Sequence, residues 1–389
     1  MSGNPVLERL GRRLRLGVVG GGGASMIGPV HRAAAVLDGR FEVAASVLSS
    51  DPEKALAEGR ELGIPRPYRD LRTLLAEEGR REDRIDALAI MTPNDSHFEI
   101  ANAALDEGLH VICDKPLTNT REEAFALVDR VQTSRKVFCL THNYSGYPMV
   151  REARARVAAG EIGAVRLVHV AYAQGQLARR VEDGEIPARL RWRLDPLRGG
   201  VSHVLGDIGT HAHQLLTFVT GRQVERVLAD VGAVVPDRRA HDTGSVLMRL
   251  EGGARGTLWV TKAASGAENA LELKVYGEAG GLEWSQNAPN QLRLVRHDQP
   301  AQILSRGQPG LSAAARRATR LPTGHPEGVH EAFANLDADF AEAVIAAITG
   351  RKADPLALEF PSVLDGARGI AFVEAAVRAS DAGHWVDCL

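Results

Sequence analysis

Residues 14–28 read LRLGVVGGGGASMIG, and this stretch decides the fold. Leu14–Val19 is a largely apolar run of strand length with no polar alternation, as expected of a strand covered on both faces. It leads into Gly20-Gly21-Gly22-Gly23-Ala24-Ser25-Met26-Ile27-Gly28 and then a helical stretch around Val30–Leu37. Such a turn needs glycine for two reasons. The chain must bend sharply off the strand, and its backbone must be free to approach a pyrophosphate. The following helix would offer unpaired N–H groups and the positive end of its dipole. The spacing departs from GxGxxG by two extra residues before Gly28, and a glycine-rich turn without a ligand is the alternative.

Outward from this turn, short apolar runs alternate with helical ones. Phe41–Leu48 is a strand and Pro52–Leu62 a helix; Ala87–Met91 is a strand and His97–Glu107 a helix. Leu109–Cys113, a helix over Arg121–Val131 and a strand at Val137–Leu140 continue the series. Strands alternating with helices of this length predict right-handed βαβ units and a parallel sheet. After Tyr144 the rhythm changes. A helix over Arg151–Ala159, a strand over Val165–Tyr172 and a helical stretch over Gly206–Val219 precede five strands without intervening helices: Val224–Val235, Thr243–Leu250, Gly256–Thr261, Leu271–Tyr276 and Gly281–Ser285. That pattern predicts an open, mostly antiparallel sheet. Helices over Leu336–Ile348 and Pro361–Ala379 close the chain, and residues 307–326 read as a mobile loop or lid. The expected fold class is therefore α/β plus α+β. A Rossmann dinucleotide-binding domain spans 12–143, and a substrate-binding and oligomerisation domain spans 144–389.

Bulk properties exclude several function classes. The 389 residues carry 47 Lys+Arg against 49 Asp+Glu, so no basic surplus points to nucleic acid or an anionic membrane. No apolar run reaches transmembrane length. Three cysteines, Cys113, Cys139 and Cys388, form no CxxC pair and indicate neither a disulfide framework nor a zinc knuckle. With no signal-peptide pattern at the polar N-terminus, a reducing cytoplasm is the expected compartment.

Two further segments carry chemistry. The Leu109–Cys113 strand ends in Asp114-Lys115-Pro116, and ligands of open parallel sheets bind outside strand carboxyl ends. The chain has only six lysines, so a lysine here suggests a compact ammonium that can stabilise a developing alkoxide; a surface lysine before a proline turn is the alternative. The second segment is Gly206-Asp207-Ile208-Gly209-Thr210-His211. Four apart on a helix, Asp207 and His211 would share a face. Histidine is the natural acid/base for a hydroxyl proton. His203, Asp207 and His211 at i, i+4, i+8 could alternatively form a metal triad, but Gly199, Gly200 and Gly206 argue against helix at His203. A buried helix whose polar groups satisfy only one another is the remaining alternative. After the Phe41–Leu48 strand stands Ser49, where NAD-binding domains usually place an acid. Ser49 with Lys54 could hold a 2′-phosphate, which favours NADP while keeping NAD open; Asp51 could simply cap the next helix.

In order and spacing these residues resemble the Gfo/Idh/MocA, or glucose–fructose oxidoreductase, family over nearly the whole chain. The resemblance rests on the glycine turn with Ile27-Gly28 and His31-Arg32, on Thr92-Pro93-Asn94 with His97, and on Asp114-Lys115-Pro116 where the family has Glu-Lys-Pro. It continues through Gly160–Gly163, Gly206–His211, Tyr276-Gly277, Asp365-Gly366 and Trp385. It implies Lys115 as alkoxide stabiliser, Asp207 as its partner or a substrate ligand, and His211 as general acid/base. Candidate cofactor contacts are Gly20, Gly22, Gly23, Met26, Ile27, Ser49, Ser50, Lys54, Thr92, Pro93, Asn94, His97 and Lys115. Candidate substrate contacts are Lys115, Tyr144, Trp192, Arg193, Asp207, His211 and His325; no metal is expected. The implied activity is NAD(P)-dependent hydride transfer on a secondary alcohol or ketone of a sugar, cyclitol or glycoside, by a homodimer or homotetramer built on the open sheet. Redox-neutral glycoside cleavage by oxidation and elimination, and a non-catalytic dinucleotide sensor, are the competing readings.

Overall fold

The computed structural model describes residues 4–23, 25–186, 188–192 and 194–389. Contacts divide the chain into two units, one of residues 1–143 with 329–367 and one of 144–328 with 368–389.

The first unit is built on a six-stranded sheet. Its strands are β1 (Leu14–Gly20), β2 (Phe41–Val47), β3 (Arg66–Pro67), β4 (Ala87–Met91), β5 (His110–Cys113) and β6 (Phe138–Leu140). They lie in the order β3-β2-β1-β4-β5-β6, all parallel. This is the Rossmann arrangement, and the order reverses between β1 and β4, the switch point where such sheets bind ligands. The short strand β3 and the helix Leu71–Glu78 lie outside the elements expected from sequence.

The C-terminal boundary differs from the contiguous 144–389 expectation, and the reason is apolar packing. Helix Val329–Thr349 returns Leu336, Phe340, Val344 and Ile345 to the cluster formed by Leu14, Leu16, Val18 and Phe41. Polar contacts fix the return: Arg9 pairs with Glu342 at 2.9 Å, and Arg40 donates to the Ala338 carbonyl at 3.0 Å.

The second unit is a nine-stranded sheet. It contains β7 (Val165–Ala173), β8 (Val224–Gly232), β9 (Thr243–Leu250), β10 (Arg255–Thr261), β11 (Ala270–Gly277), β12 (Gly280–Ser285), β13 (Gln291–Arg296), β14 (Gln302–Ser305) and β15 (Val386–Asp387). The order is β14-β13-β12-β11-β7-β10-β9-β8-β15, antiparallel except for the parallel pair β7–β10. Alternation along β9 and β10 buries Val246, Met248, Leu258 and Val260 on one face and leaves Leu247 and Trp259 exposed on the other. Residues 307–326 are not a structureless loop. They hold the helix Ala313–Arg317, and a buried ion pair, Arg306 to Glu327 at 2.8 Å, closes their ends. Among the described residues no helix is long and apolar enough to cross a membrane.

Two buried histidines tie stability to pH. Burial, reinforced by the charge of Lys136, pushes His110 down to about 4, and its Nδ1 accepts a bond from the Val137 N–H at 3.0 Å. Burial likewise pushes His213 down to about 4. Both folded values lie below the unfolded one of about 6.5, so the unfolded chain takes up protons first as pH falls. Their stabilisation is complete above about pH 6.5 and is lost progressively toward about pH 4. The urea midpoint is expected to fall between about pH 7 and about pH 5, and His110→Gln to flatten that slope. An unchanged slope would show that His110 is not a source of it.

Candidate functional site

In the first unit the glycine turn forms a cradle. Gly20, Gly21 and Gly23 have φ of 76°, 73° and 45°, the left-handed region that glycine alone enters readily. Helix Ile27–Leu37 starts so close to the turn that a Cβ on Gly28 would lie 1.9 Å from the Gly21 carbonyl oxygen. Arg32, from the same helix, binds that carbonyl at 2.8 Å. Gly20 pairs with Met91 and Val19 with Val47, so the turn leaves the sheet level with the ends of β4 and β2. These are the features a dinucleotide pyrophosphate requires: bare backbone, and a helix start directed at it.

The remaining cofactor candidates lie around the same strand ends. Met26 is exposed, and Ile27 is half-buried at the helix start. Thr92, Pro93 and Asn94 follow β4, with the Ser96 hydroxyl donating to Thr92 Oγ1 at 2.7 Å. The Ser49 hydroxyl accepts from the Asp51 N–H, and exposed Ser50 lies between them. Asp51 caps helix Pro52–Glu61 through the Glu53 and Lys54 N–H groups. Lys54 faces Glu58 at 3.7 Å. His97 is fully buried, and its ring lies 2.8 Å from the Pro116 carbonyl through Nδ1 and 3.0 Å from the Thr92 carbonyl through Nε2. It therefore braces the loops after β4 and β5 through both ring nitrogens.

Lys115 follows β5 and is half-buried, with a cis peptide bond to Pro116. Its neighbour Asp114 takes a hydrogen bond from Thr141 Oγ1 at 3.0 Å and lies 3.9 Å from His31 Nε2. Burial alone would raise the Asp114 carboxyl. His31, Lys115 and His97 outweigh it and hold the group well below the usual carboxylate range. The shorter Asp in place of the family's Glu is thus a fixed anion beside the lysine.

In the second unit, the segment expected to be a regular helix contains a π turn over Leu205–Gly209, closed by the Thr210 N–H on the Leu205 carbonyl. Asp207 lies within it, and the α-helix proper runs Thr210–Thr220. The simple i, i+4 face is therefore replaced by a widened turn, a feature common at functional sites. His203 does begin the helical stretch despite its flanking glycines. Among the described residues no group of three or more His, Cys, Asp or Glu is placed to hold a metal.

Asp207 forms an ion pair with Lys262, a residue that sequence reasoning missed. Lys262 is 2% exposed and also donates to Gln174 Oε1 at 3.2 Å. Thr261 of β10 pairs with Ala173 of β7, which sets Lys262 and Gln174 side by side just past two parallel strands. Asn269, just before antiparallel β11, completes this corner. It accepts from Gln174 Nε2 and from Tyr172 Oη, both at 2.7 Å, and donates to Tyr144 Oη at 3.2 Å. With Tyr144 and Tyr172 2.6 Å apart, the three side chains close a ring of hydrogen bonds. Burial pushes both phenols up, so they remain protonated donors. His211 is 7% exposed, with its ring edge-to-face on Tyr144 at 5.0 Å. An imidazole, a carboxylate, an ammonium and a polar wall thus share one region of this unit. Trp192 is half-buried. His325 is exposed, and its carbonyl accepts from Arg306. Arg193 lies outside the described residues. The signal for Lys262 was available: like Lys115, it is one of six lysines and stands just past the end of a strand.

A Rossmann sheet with a glycine cradle, followed by a mixed sheet carrying an acid/base cluster, defines a dinucleotide-binding oxidoreductase. Residues 14–142 match the oxidoreductase family with NAD-binding Rossmann fold, and 150–283 match the GFO/IDH/MocA C-terminal domain. The chain belongs to the GFO/IDH/MocA family. It is 34% identical to the uncharacterized oxidoreductase YfiI of Bacillus subtilis, over 97% of this chain and 98% of the relative. It is 26% identical to levoglucosan dehydrogenase of Pseudarthrobacter phenanthrenivorans, over 73% and 76%. A crystal structure of an inositol dehydrogenase homolog from Azotobacter vinelandii, complexed with NADH and myo-inositol, superposes with a TM-score of 0.88 at 37% identity, covering 97% of this chain and 98% of that one.

Proposed function

We propose that this protein is a nicotinamide-dependent dehydrogenase or reductase acting on a secondary alcohol or ketone of a sugar, cyclitol or glycoside. The observation that carries the reading is the acid/base cluster of the second unit, with His211 against the tyrosine ring and Asp207 ionised against Lys262. A protein that only sensed a dinucleotide would need none of these groups. The bound nicotinamide supplies the hydride acceptor, or in reverse the donor, for the carbinol carbon. His211 takes the hydroxyl proton on one of its ring nitrogens as general base. The Lys115 ammonium stabilises the negative charge that grows on the oxygen. Asp207 receives a neighbouring substrate hydroxyl. Tyr144 and Trp192 line the substrate. Gly20, Gly22, Gly23, Met26, Ile27, Thr92, Pro93 and Asn94 hold the dinucleotide. The named polyol ligands of the relatives support this substrate class. Exposed Leu167, Leu247, Trp259 and Tyr276 on the outer face of the second sheet support self-association through it.

The test is a titration of NAD⁺ and NADP⁺ followed by a panel of sugars and cyclitols, read as nicotinamide absorbance. Net reduction that depends on one polyol class is expected. Product formation from a glycoside without net reduction would indicate the oxidation–elimination reaction instead. Binding without turnover on any member would indicate a sensor.

A further inference from the structure

Just after β2 stands Ser49, where a carboxylate would ordinarily accept the hydroxyls of the adenosine ribose. A carboxylate reaches this corner from the next helix. Glu58 lies on Pro52–Glu61, and its side chain is directed at the glycine turn. A Cβ built on Gly22 would lie 2.0 Å from Glu58 Oε2 and 2.6 Å from the Leu48 carbonyl oxygen; one on Gly23 would lie 2.8 Å from Glu58 Oε1. The glycine cradle, the chain leaving β2 and the Glu58 carboxylate therefore meet at one point, all within the first unit.

Glu58 is poorly satisfied there. Its Oε2 is buried and accepts no hydrogen bond. Its Oε1 has Lys54 at 3.7 Å, beyond hydrogen-bond length, and Lys54 is 61% exposed. A buried carboxylate oxygen without a donor is destabilising, and such groups call for an explanation in function. A ligand hydroxyl donating to Oε2 would remove the deficit. A phosphate could not, because it has no hydrogen to donate at neutral pH beyond a partial one and carries like charge. Lys54, which with Ser49 suggests a 2′-phosphate site in the sequence, has Glu58 as its nearest charge instead.

We propose that Glu58 is the cofactor-specificity residue of this chain: its carboxylate accepts a hydroxyl of the adenosine ribose and repels a 2′-phosphate, so that the protein prefers NAD(H) to NADP(H). This rests on the dinucleotide-binding reading of the first unit. It reverses the preference for NADP suggested by Ser49 and Lys54, and assigns the missing acid to helix Pro52–Glu61.

Titration of the full chain with NADH and with NADPH, followed by calorimetry or nicotinamide fluorescence, tests it without any substrate. NADH is expected to bind at least about tenfold more tightly, the scale of one charge-assisted hydrogen bond. Glu58→Gln should weaken NADH while strengthening NADPH, and Glu58→Lys should invert the order, with thermal melts verifying that each variant is folded. If Glu58→Gln weakens both cofactors in parallel, Glu58 only shapes the turn and the assignment falls. Equal binding of the two cofactors by the unaltered chain also overturns it. Failure of the unaltered chain to bind either cofactor removes the dinucleotide reading itself.

Discussion

His211→Ala and Lys115→Met proteins are each expected to turn over polyol about 10²–10⁴ times more slowly while still binding NADH. The range is that of a positioned acid/base group, and loss of one stabiliser of developing negative charge falls toward its lower half. The two changes should be distinguishable by pH. Removing the imidazole takes the ionisation of the general base out of the kcat/KM profile, whereas removing the ammonium leaves that ionisation and lowers the plateau. Added imidazole should restore part of the His211→Ala rate, because the cavity left by the ring can admit the free base. The combined variant should be little worse than the poorer single one, since groups serving one transition state are not additive. Normal turnover by both single variants would leave the proposed chemistry without its proton carrier and its charge stabiliser.

Lys262→Met should be the most destabilising single change at this site. Lys262 is 2% exposed and Asp207 21%, so removing the ammonium leaves a largely buried carboxylate uncompensated. Breaking such a pair costs about 3–5 kcal/mol, with the residual exposure of Asp207 moving the value toward the lower end. Against a total stability of about 5–15 kcal/mol this is a large fraction. Lys262→Arg, which keeps the charge, should recover much of the loss. Lys262→Met combined with Asp207→Leu should recover more, because no charge remains to be solvated. Urea unfolding of the four proteins checks the series. If Lys262→Met shifts stability by less than about 0.5 kcal/mol, as an ordinary surface change does, the ion pair does not hold this corner. The same variants separate stability from chemistry: the double variant should be stable and yet inactive, because Asp207 is gone.

Much of the first unit was legible locally. Each of its long strands reads as a short apolar run, so β1, β2, β4, β5 and β6 lie within a residue of their expected limits, whereas the helix Leu71–Glu78 was not read. The two-residue β3 left no periodic trace and went unread. The antiparallel rhythm of the second sheet was legible too, but not the parallel pairing of β7 with β10, because alternation within a strand records which face is buried and not which neighbour it meets. The π turn at Leu205–Gly209 was read as ordinary helix, since one inserted residue hardly alters a periodicity. His97 was given as a cofactor contact through the resemblance, and the chain order could not show that burial turns both of its ring nitrogens onto main-chain carbonyls.

What the amino-acid order determined alone was the alternation of strand and helix, the glycine bend after β1, and the residue types able to move a proton or hold an alkoxide; these depend on near neighbours along the chain. Which charges meet was decided only by tertiary structure. Asp207 and Lys262 are 55 positions apart, and Tyr144 and Asn269 are 125 apart. They come together because three sheet strands end at one corner, an arrangement set by long-range strand pairing.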